Sequence, residues 1–186
     1  MKRYIIFLLL FFILSIQVFA SGSRQYQPLS ELEKNFYQRI DKSIWPDDIR
    51  KDIEKYRNSD VGWVGVIEKY MTDFNNSEYN VIGFYVKHHF YDWIENVNPQ
   101  NTLINLSSKG EGYFICYYLF KKEIDPKQIV KDFTGDIIIN YGSPIRVSED
   151  GVIEMTNDYI RIIDKKYVNP NWMNYGRDGL GEIIIK

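Results

Sequence analysis

The chain has 186 residues, with 23 Lys and Arg against 25 Asp and Glu and a formal net charge of −2. After residue 20 the basic residues form adjacent pairs only at Arg50-Lys51, Lys121-Lys122 and Lys165-Lys166, so the focused positive stripe that a phosphate backbone requires is missing and nucleic acid is disfavoured as a partner. A lone cysteine, Cys116, rules out an internal disulfide; in the apolar stretch YFICYYLF it reads as a small core residue.

Residues 1–20 carry the three-part pattern of a secretory signal peptide. Lys2 and Arg3 give a positive start, Ile5 to Leu14 is an unbroken apolar run, and Val18 and Ala20 stand at the −3 and −1 positions of a cleavage site. The apolar run is shorter than the ~20 residues of a membrane span. Cleavage after Ala20 is expected, which leaves a periplasmic or secreted protein; an uncleaved anchor is the alternative. No later segment is apolar enough to span a bilayer, and no cysteine at the cleavage site offers a lipid anchor.

Residues 21–59 read as a helical segment that packs on the domain that follows. Ser30-Glu31-Leu32-Glu33 is a capping box, and Leu29, Leu32, Phe36 and Ile40 recur at helical spacing. Pro46 closes this helix, and a second one is expected from Asp47 to Arg57. Near Val61 the apolar period changes to two. VGWVGVIEKY predicts a first strand, NNSE a turn, and YNVIGFYVKHHFY a second strand rich in aromatic and β-branched residues. A loop is expected at 96–101 around Pro99, then a third strand in EGYFICYYLFKK. Asp125-Pro126 is a helix start, with Ile129, Val130 and Phe133 as its apolar face and Gly135 as its stop. DIIINYGSPI predicts a fourth strand, SEDG a turn, and VIEMTNDYIRII a fifth, broken or bulged near Asn157.

Strand, strand, strand, helix, strand, strand is the element order of an OB-fold, a five-stranded Greek-key barrel. The expected class is mainly β with N-terminal helices (α+β): an OB-fold-like domain over 60–168, with one helix between strands 3 and 4. A plain β-sandwich is the alternative. Residues 169–186 form a tail whose GEIIIK end suits one added edge strand.

Tyr56 followed by Val61, Trp63, Gly65 and Ile67, and the later stretch GDIIINYGSP, resemble exported bacterial OB-fold proteins, above all the starvation-inducible outer-membrane lipoprotein (Slp-type) family. The resemblance spans residues 47–163. It implies a barrel in the cell envelope and supplies no catalytic residues. The lipobox cysteine of that family is absent here, so its membrane anchoring does not carry over.

The two histidines, His88 and His89, adjoin Asp92 and Glu95. Neighbouring residues of a strand face opposite sides, so one imidazole with Asp92 falls short of the three or four ligands a metal needs. The stretch reads instead as a strand running into a turn, with one histidine on the sheet surface and the other half-buried among Phe84, Phe90 and Trp93. A serine or cysteine nucleophile fares worse, since no Gly-x-Ser-x-Gly elbow exists. SSKGEG reads as a turn, and GRDGLG lacks the strand–helix setting of a phosphate loop. No cofactor is expected. The aromatic content is high: 15 Tyr, 11 Phe and 4 Trp. Trp63, Tyr85, Tyr91, Trp93 and Tyr113, with Tyr117 and Tyr118, are the candidates for a stacking surface, although core packing should claim most of them. The expected function is a non-enzymatic binding module for an envelope ligand or protein. A metal-binding protein or metal-dependent hydrolase built on His88, His89 and Asp92, or a structural envelope component, are the alternatives.

Overall fold

The computed structural model describes residues 26–72, 79–98, 101–107, 109–121 and 132–164, with short pieces at 175–176 and 182–183. The protein is mainly β. Among the described residues, three short helices precede the first strand: α1 (Glu31–Arg39), α2 (Pro46–Lys51) and α3 (Ile53–Tyr56). Among the described residues, no helix is long and apolar enough to cross a membrane.

Ser30 caps α1 by accepting the Glu33 N–H at 3.1 Å. Proline opens α2, where a missing N–H costs nothing. The single helix expected over 47–57 is divided at Asp52, whose φ of −154° and ψ of 81° leave helical geometry; its carboxylate then accepts the Lys55 N–H at 3.1 Å and starts α3.

The strands are β1 (Val61–Met71), β2 (Tyr79–His88), β3 (Tyr91–Asn98), β4 (Asn101–Leu106), β5 (Tyr113–Lys121), β6 (Ile137–Gly142), β7 (Pro144–Val147), β8 (Ile153–Met155) and β9 (Tyr159–Ile163), with two-residue β10 (Tyr175–Gly176) and β11 (Glu182–Ile183). They form an eight-stranded sheet in the order β11-β9-β6-β1-β2-β5-β8-β7 and a three-stranded sheet in the order β10-β4-β3. All pairs are antiparallel except β5 with β8, which run parallel. The end strands β11 and β7 are not paired with each other.

Two expectations are corrected here. The second strand does not continue to Tyr91. The His89 N–H donates to Val64 O and the Phe90 N–H to Lys109 O, so the chain leaves the large sheet at His88 and starts the small one. Of the loop expected at 96–101, residues 96–98 belong to β3 and Asn101 to β4, in a register that runs from Tyr91↔Leu106 to Asn98↔Asn101, while 99–100 lie outside the described residues; these polar residues carry no alternating pattern that would mark a strand. Most of the helix expected over 125–133 lies outside the described residues. The break expected near Asn157 separates β8 from β9.

The large sheet has two apolar faces. Trp63, Ile67, Ile82, Phe84, Val86, Phe114, Cys116, Ile138, Ile153, Met155, Ile160 and Ile162 form the inner core with Ile49 of α2. On the opposite face of β1, β6 and β9, residues Val64, Val66, Ile137, Ile139, Tyr141, Tyr159 and Ile163 make a second cluster with Ile104 and Leu106 of β4 and Ile40. Leu32, Phe36 and Tyr37 of α1 pack against it. Gly62 marks this contact, because a Cβ there would lie 2.7 Å from Ile40 and 2.8 Å from Tyr141.

Candidate functional site

Among the described residues, the outward face of the large sheet is covered over β1, β6 and β9 and open over β2, β5 and β8. Cover comes from α1 and the β3–β4 hairpin, and it is pinned by a buried ion pair. Glu33 of α1 and Arg161 of β9 are both fully buried, with Nη1 3.3 Å from Oε2. Tyr26 donates to the Glu33 carboxylate and meets the Tyr141 hydroxyl, and the Leu29 N–H also donates to Glu33. Burial raises the Glu33 pKa against the lowering pull of Arg161. Burial raises Tyr26 and Tyr141 as well.

The open half is built from one cross-strand row. Directly paired residues share a face, and the registers align Lys69 with Tyr85, Tyr85 with Ile115, Ile115 with Glu154, and Glu154 with Arg146. Five strands thus contribute Lys69, Tyr85, Ile115, Glu154 and Arg146 to one line, about 19 Å long at the usual strand spacing. Tyr113 and Tyr117 flank Ile115 along β5, and Val81 and Leu119 extend the face. Tyr85 and Tyr113 stack with centroids 4.9 Å apart and planes 24° apart. The Lys69 ammonium sits 4.6 Å from the centre of the Tyr85 ring, a cation–π contact. Arg146 binds Glu154 at 2.6 Å, and Glu154 accepts the Tyr117 hydroxyl. Both tyrosines titrate above their ordinary range, first through burial and then through carboxylates: Asp150 for Tyr85 and Glu154 for Tyr117. Leu119 is among the few large apolar side chains exposed to water.

Of the residues singled out in the sequence, Tyr85 and Tyr113 meet here, with Tyr117 beside them. Trp63 does not. It is 1% exposed in the inner core, and its indole N–H donates to Ile44 O at 3.2 Å; an odd position on β1 points it inward. Tyr91 belongs to the covered half, beside Tyr26, where burial pushes its pKa up to about 12. Tyr118 packs against the inner core. The side chains of Trp93 and Asp92 lie outside the described residues.

The histidines are separated. Both are buried, at 1% and 5%, which corrects the expectation that one lines the surface. His88 Nδ1 accepts the Glu111 N–H at 3.0 Å. Its ring lies among Trp45, Trp63 and Phe90, where desolvation lowers its pKa to about 4. His89 Nδ1 lies 2.9 Å from Ser107 O. The side chains that converge on His88 are thus mainly aromatic. Among the described residues, no group of three or more His, Cys, Asp or Glu side chains is placed to hold a metal ion. Cys116 is buried in the core, and desolvation raises its thiol pKa far above the range in which a thiolate forms.

Sequence reasoning missed Lys69, Glu154 and Arg146. Lys69 reaches the outward face because the register shifts between Ile67 and Lys69, and a bulge of this kind breaks the alternation that would reveal the face. Ile115 and Leu119 were legible as every second residue of β5, since they share the parity of Tyr113 and Tyr117. Comparison of the chain with known protein families, with curated proteins and with solved structures gives no match.

Proposed function

We propose that this is an exported, non-enzymatic binding module of the cell envelope, which uses the open face of β2 and β5. The observation that carries the reading is the Tyr85–Tyr113 stack on a half-sheet that no other element of the described chain covers, while the other half is buried. Amphipathic rings left at a surface are suited to a ligand that is apolar on one side and wet on the other. The leader-like pattern of residues 1–20 supports export, and the short resemblance to Slp-type envelope proteins agrees with it.

An OB-fold-like barrel is the architecture we propose behind this face. Its support lies in the register. Partner positions run without a change of hairpin from Ile137↔Ile163 to Val147↔Ile153, with one irregularity near Pro144. Residues 137–147 and 153–163 therefore behave as two long bent runs, one bordering β1 and the other bordering β5. In the proposed barrel these would be the fourth and fifth of five runs, with the third and fifth parallel, as β5 and β8 are. In an OB-fold the outward face of the second and third strands, here β2 and β5, is a recognition surface.

The test is site-specific photo-crosslinking in the host cell. Benzoylphenylalanine in place of Ile115 should give a discrete, saturable adduct, and the same probe in place of the exposed Glu31 of α1 should not. No adduct from Ile115, or equal labelling from both sites, would refute a binding role for this face. Export is tested by terminal sequencing of the protein recovered from its host, which should begin at Ser21.

A further inference from the structure

The two adjacent histidines stand where the chain leaves one sheet for the other, and a second segment closes over that crossing. Residues 109–112, just before β5, lie against 88–90. The His88 N–H donates to Gly112 O at 2.9 Å and the Phe90 N–H to Lys109 O at 3.0 Å. Gly110 sits so close that a Cβ there would overlap His88 O. The third link is a side chain, since His88 Nδ1 accepts the Glu111 N–H at 3.0 Å. From outside, α2 grips the same turn: the Asp47 N–H donates to the Glu111 carboxylate and Arg50 to Glu111 O, both at 2.9 Å.

A neutral imidazole that accepts at Nδ1 carries its proton on Nε2. Nε2 of His88 is buried without a hydrogen-bond partner among the described residues, so a second proton can enter only at Nδ1. The acceptor then becomes a donor aimed at another donor, the Glu111 N–H, and a charge appears on a ring that is 1% exposed. We propose that His88 is an acid-operated latch, whose protonation frees the 109–112 turn from the β2–β3 crossing and from α2 while both sheets stay folded.

The surroundings make the turn the part that yields. Lys109, Gly110 and Gly112 are already exposed, whereas Trp63, on which the His88 ring also packs, belongs to the inner core. Opening the turn lets water reach the imidazolium with little apolar burial lost. The charges around the ring do not hold a cation in place. Asp47 favours one but is itself bound by Arg50 at 2.6 Å, and Arg50 and His89 oppose it. The carboxylates of Glu111 and Asp48 accept the Asp47 and Trp45 N–H groups, Lys87 and Lys109 are exposed, and β1 offers only Gly65 opposite His88. Desolvation is the main reason the His88 pKa is lowered to about 4 from the ordinary 6.5. In the open form the ring is hydrated, so that form gains roughly tenfold in population for each pH unit dropped between those values. The closed turn is thus fully favoured above about pH 6.5 and is lost as pH falls toward about 4. His89 is not the trigger: its Nδ1 faces Ser107 O at 2.9 Å and donates there whether or not the ring is charged. The latch stands independently of what the open face binds.

The experiment is amide hydrogen exchange of the protein recovered from its host, read residue by residue by NMR from about pH 7 to about pH 4 and corrected for the intrinsic pH dependence. The His88 ring is titrated in the same samples. The His88, Phe90 and Glu111 amides should exchange well ahead of the β1–β6 amides and accelerate roughly tenfold per pH unit below about 6. The β1–β6 amides should stay protected on that timescale. In His88→Asn, whose side-chain oxygen can accept the Glu111 N–H but does not titrate, the acceleration should vanish. Three outcomes would overturn the latch. Turn and sheet amides exchanging together at every pH would mean that His88 meets water only through global unfolding. Full protection of the Glu111 amide while the His88 ring titrates would separate protonation from opening, and this is read on the wild type alone. An unchanged acid response in His88→Asn would assign the trigger to another group.

Discussion

On β1, β6 and β9 the outward positions are Val64, Val66, Ile137, Ile139, Tyr141, Tyr159, Arg161 and Ile163; on β2 and β5 they are Val81, Tyr85, Lys87, Tyr113, Ile115, Tyr117 and Leu119. The first group is almost wholly buried, and the second is half-buried to exposed. The covered half is dominated by β-branched side chains, which gain most from losing water, and its one charge is matched by a carboxylate on α1. The open half is dominated by tyrosines, whose hydroxyls can stay wet. A single sheet therefore carries one outer surface that is buried and one that is half-buried to exposed among the described residues. The difference lies in side-chain chemistry at equivalent positions of the pleat.

That comparison breaks first at the ion pair. Glu33→Ala should destabilise the protein by about 3–5 kcal/mol, because Arg161 is left charged and fully buried. Urea denaturation measures it. The double change Glu33→Leu with Arg161→Met should recover most of the loss. A cost under about 1 kcal/mol for Glu33→Ala would mean that the pair does not hold the cover in place.

Paired substitutions across the two halves come next. Ile139→Ala, at 2% exposure in the covered half, should cost about 2–5 kcal/mol. In the open half Tyr85→Ala should cost only about 1 kcal/mol, mainly the lost ring stack. Equal losses at the two positions would erase the distinction between the halves.

The inner core shared by both halves predicts a pH dependence. His88 has its pKa lowered to about 4, chiefly by desolvation, with smaller lowering contributions from His89 and Arg50 and an opposing pull upward from Asp47. The unfolded chain therefore binds more protons than the folded one between about pH 6.5 and 4. Stability should be full above this window and fall as pH drops through it, by on the order of 3 kcal/mol. Comparing the wild type with His88→Asn cancels other groups, including Glu33, whose raised pKa acts in the opposite sense. A pH profile unchanged by His88→Asn would exclude this role.

The smallest effect is expected at the edge of the open face. Leu119→Ser, at a side chain already exposed, should change stability by no more than about 0.5 kcal/mol, as thermal melting can show. A large loss would mean that β5 is covered after all.

The β runs were legible from composition more than from strict alternation. Val61 to Ile67, Tyr79 to His88, Tyr113 to Lys121 and Ile137 to Gly142 were legible instead as runs rich in β-branched and aromatic residues, and Tyr85, Tyr113 and Tyr117 hold odd positions of their strands. The β3–β4 hairpin was hidden because its polar residues mimic a loop, and Lys69 was hidden by a bulge. Trp63 was misassigned to a surface because an aromatic residue on a strand looks the same whether it points inward or outward. His88 and His89 looked like alternate-facing neighbours, yet the chain changes sheets between them, and both end up buried.

Periodicity, charge and the leader pattern by themselves determined a mainly β chain with short helices before the sheet and without a focused positive field. They could do so because burial of one face imposes its period on local sequence. Which face of which strand receives a cover depends on distant residues: Glu33 meets Arg161 across 128 positions, and Glu154 meets Ile115 only through a parallel pairing. Contacts of that range leave no local period in the chain, so only the tertiary structure decided that Tyr85 and Tyr113 stand at an open surface while Trp63 and Tyr91 do not.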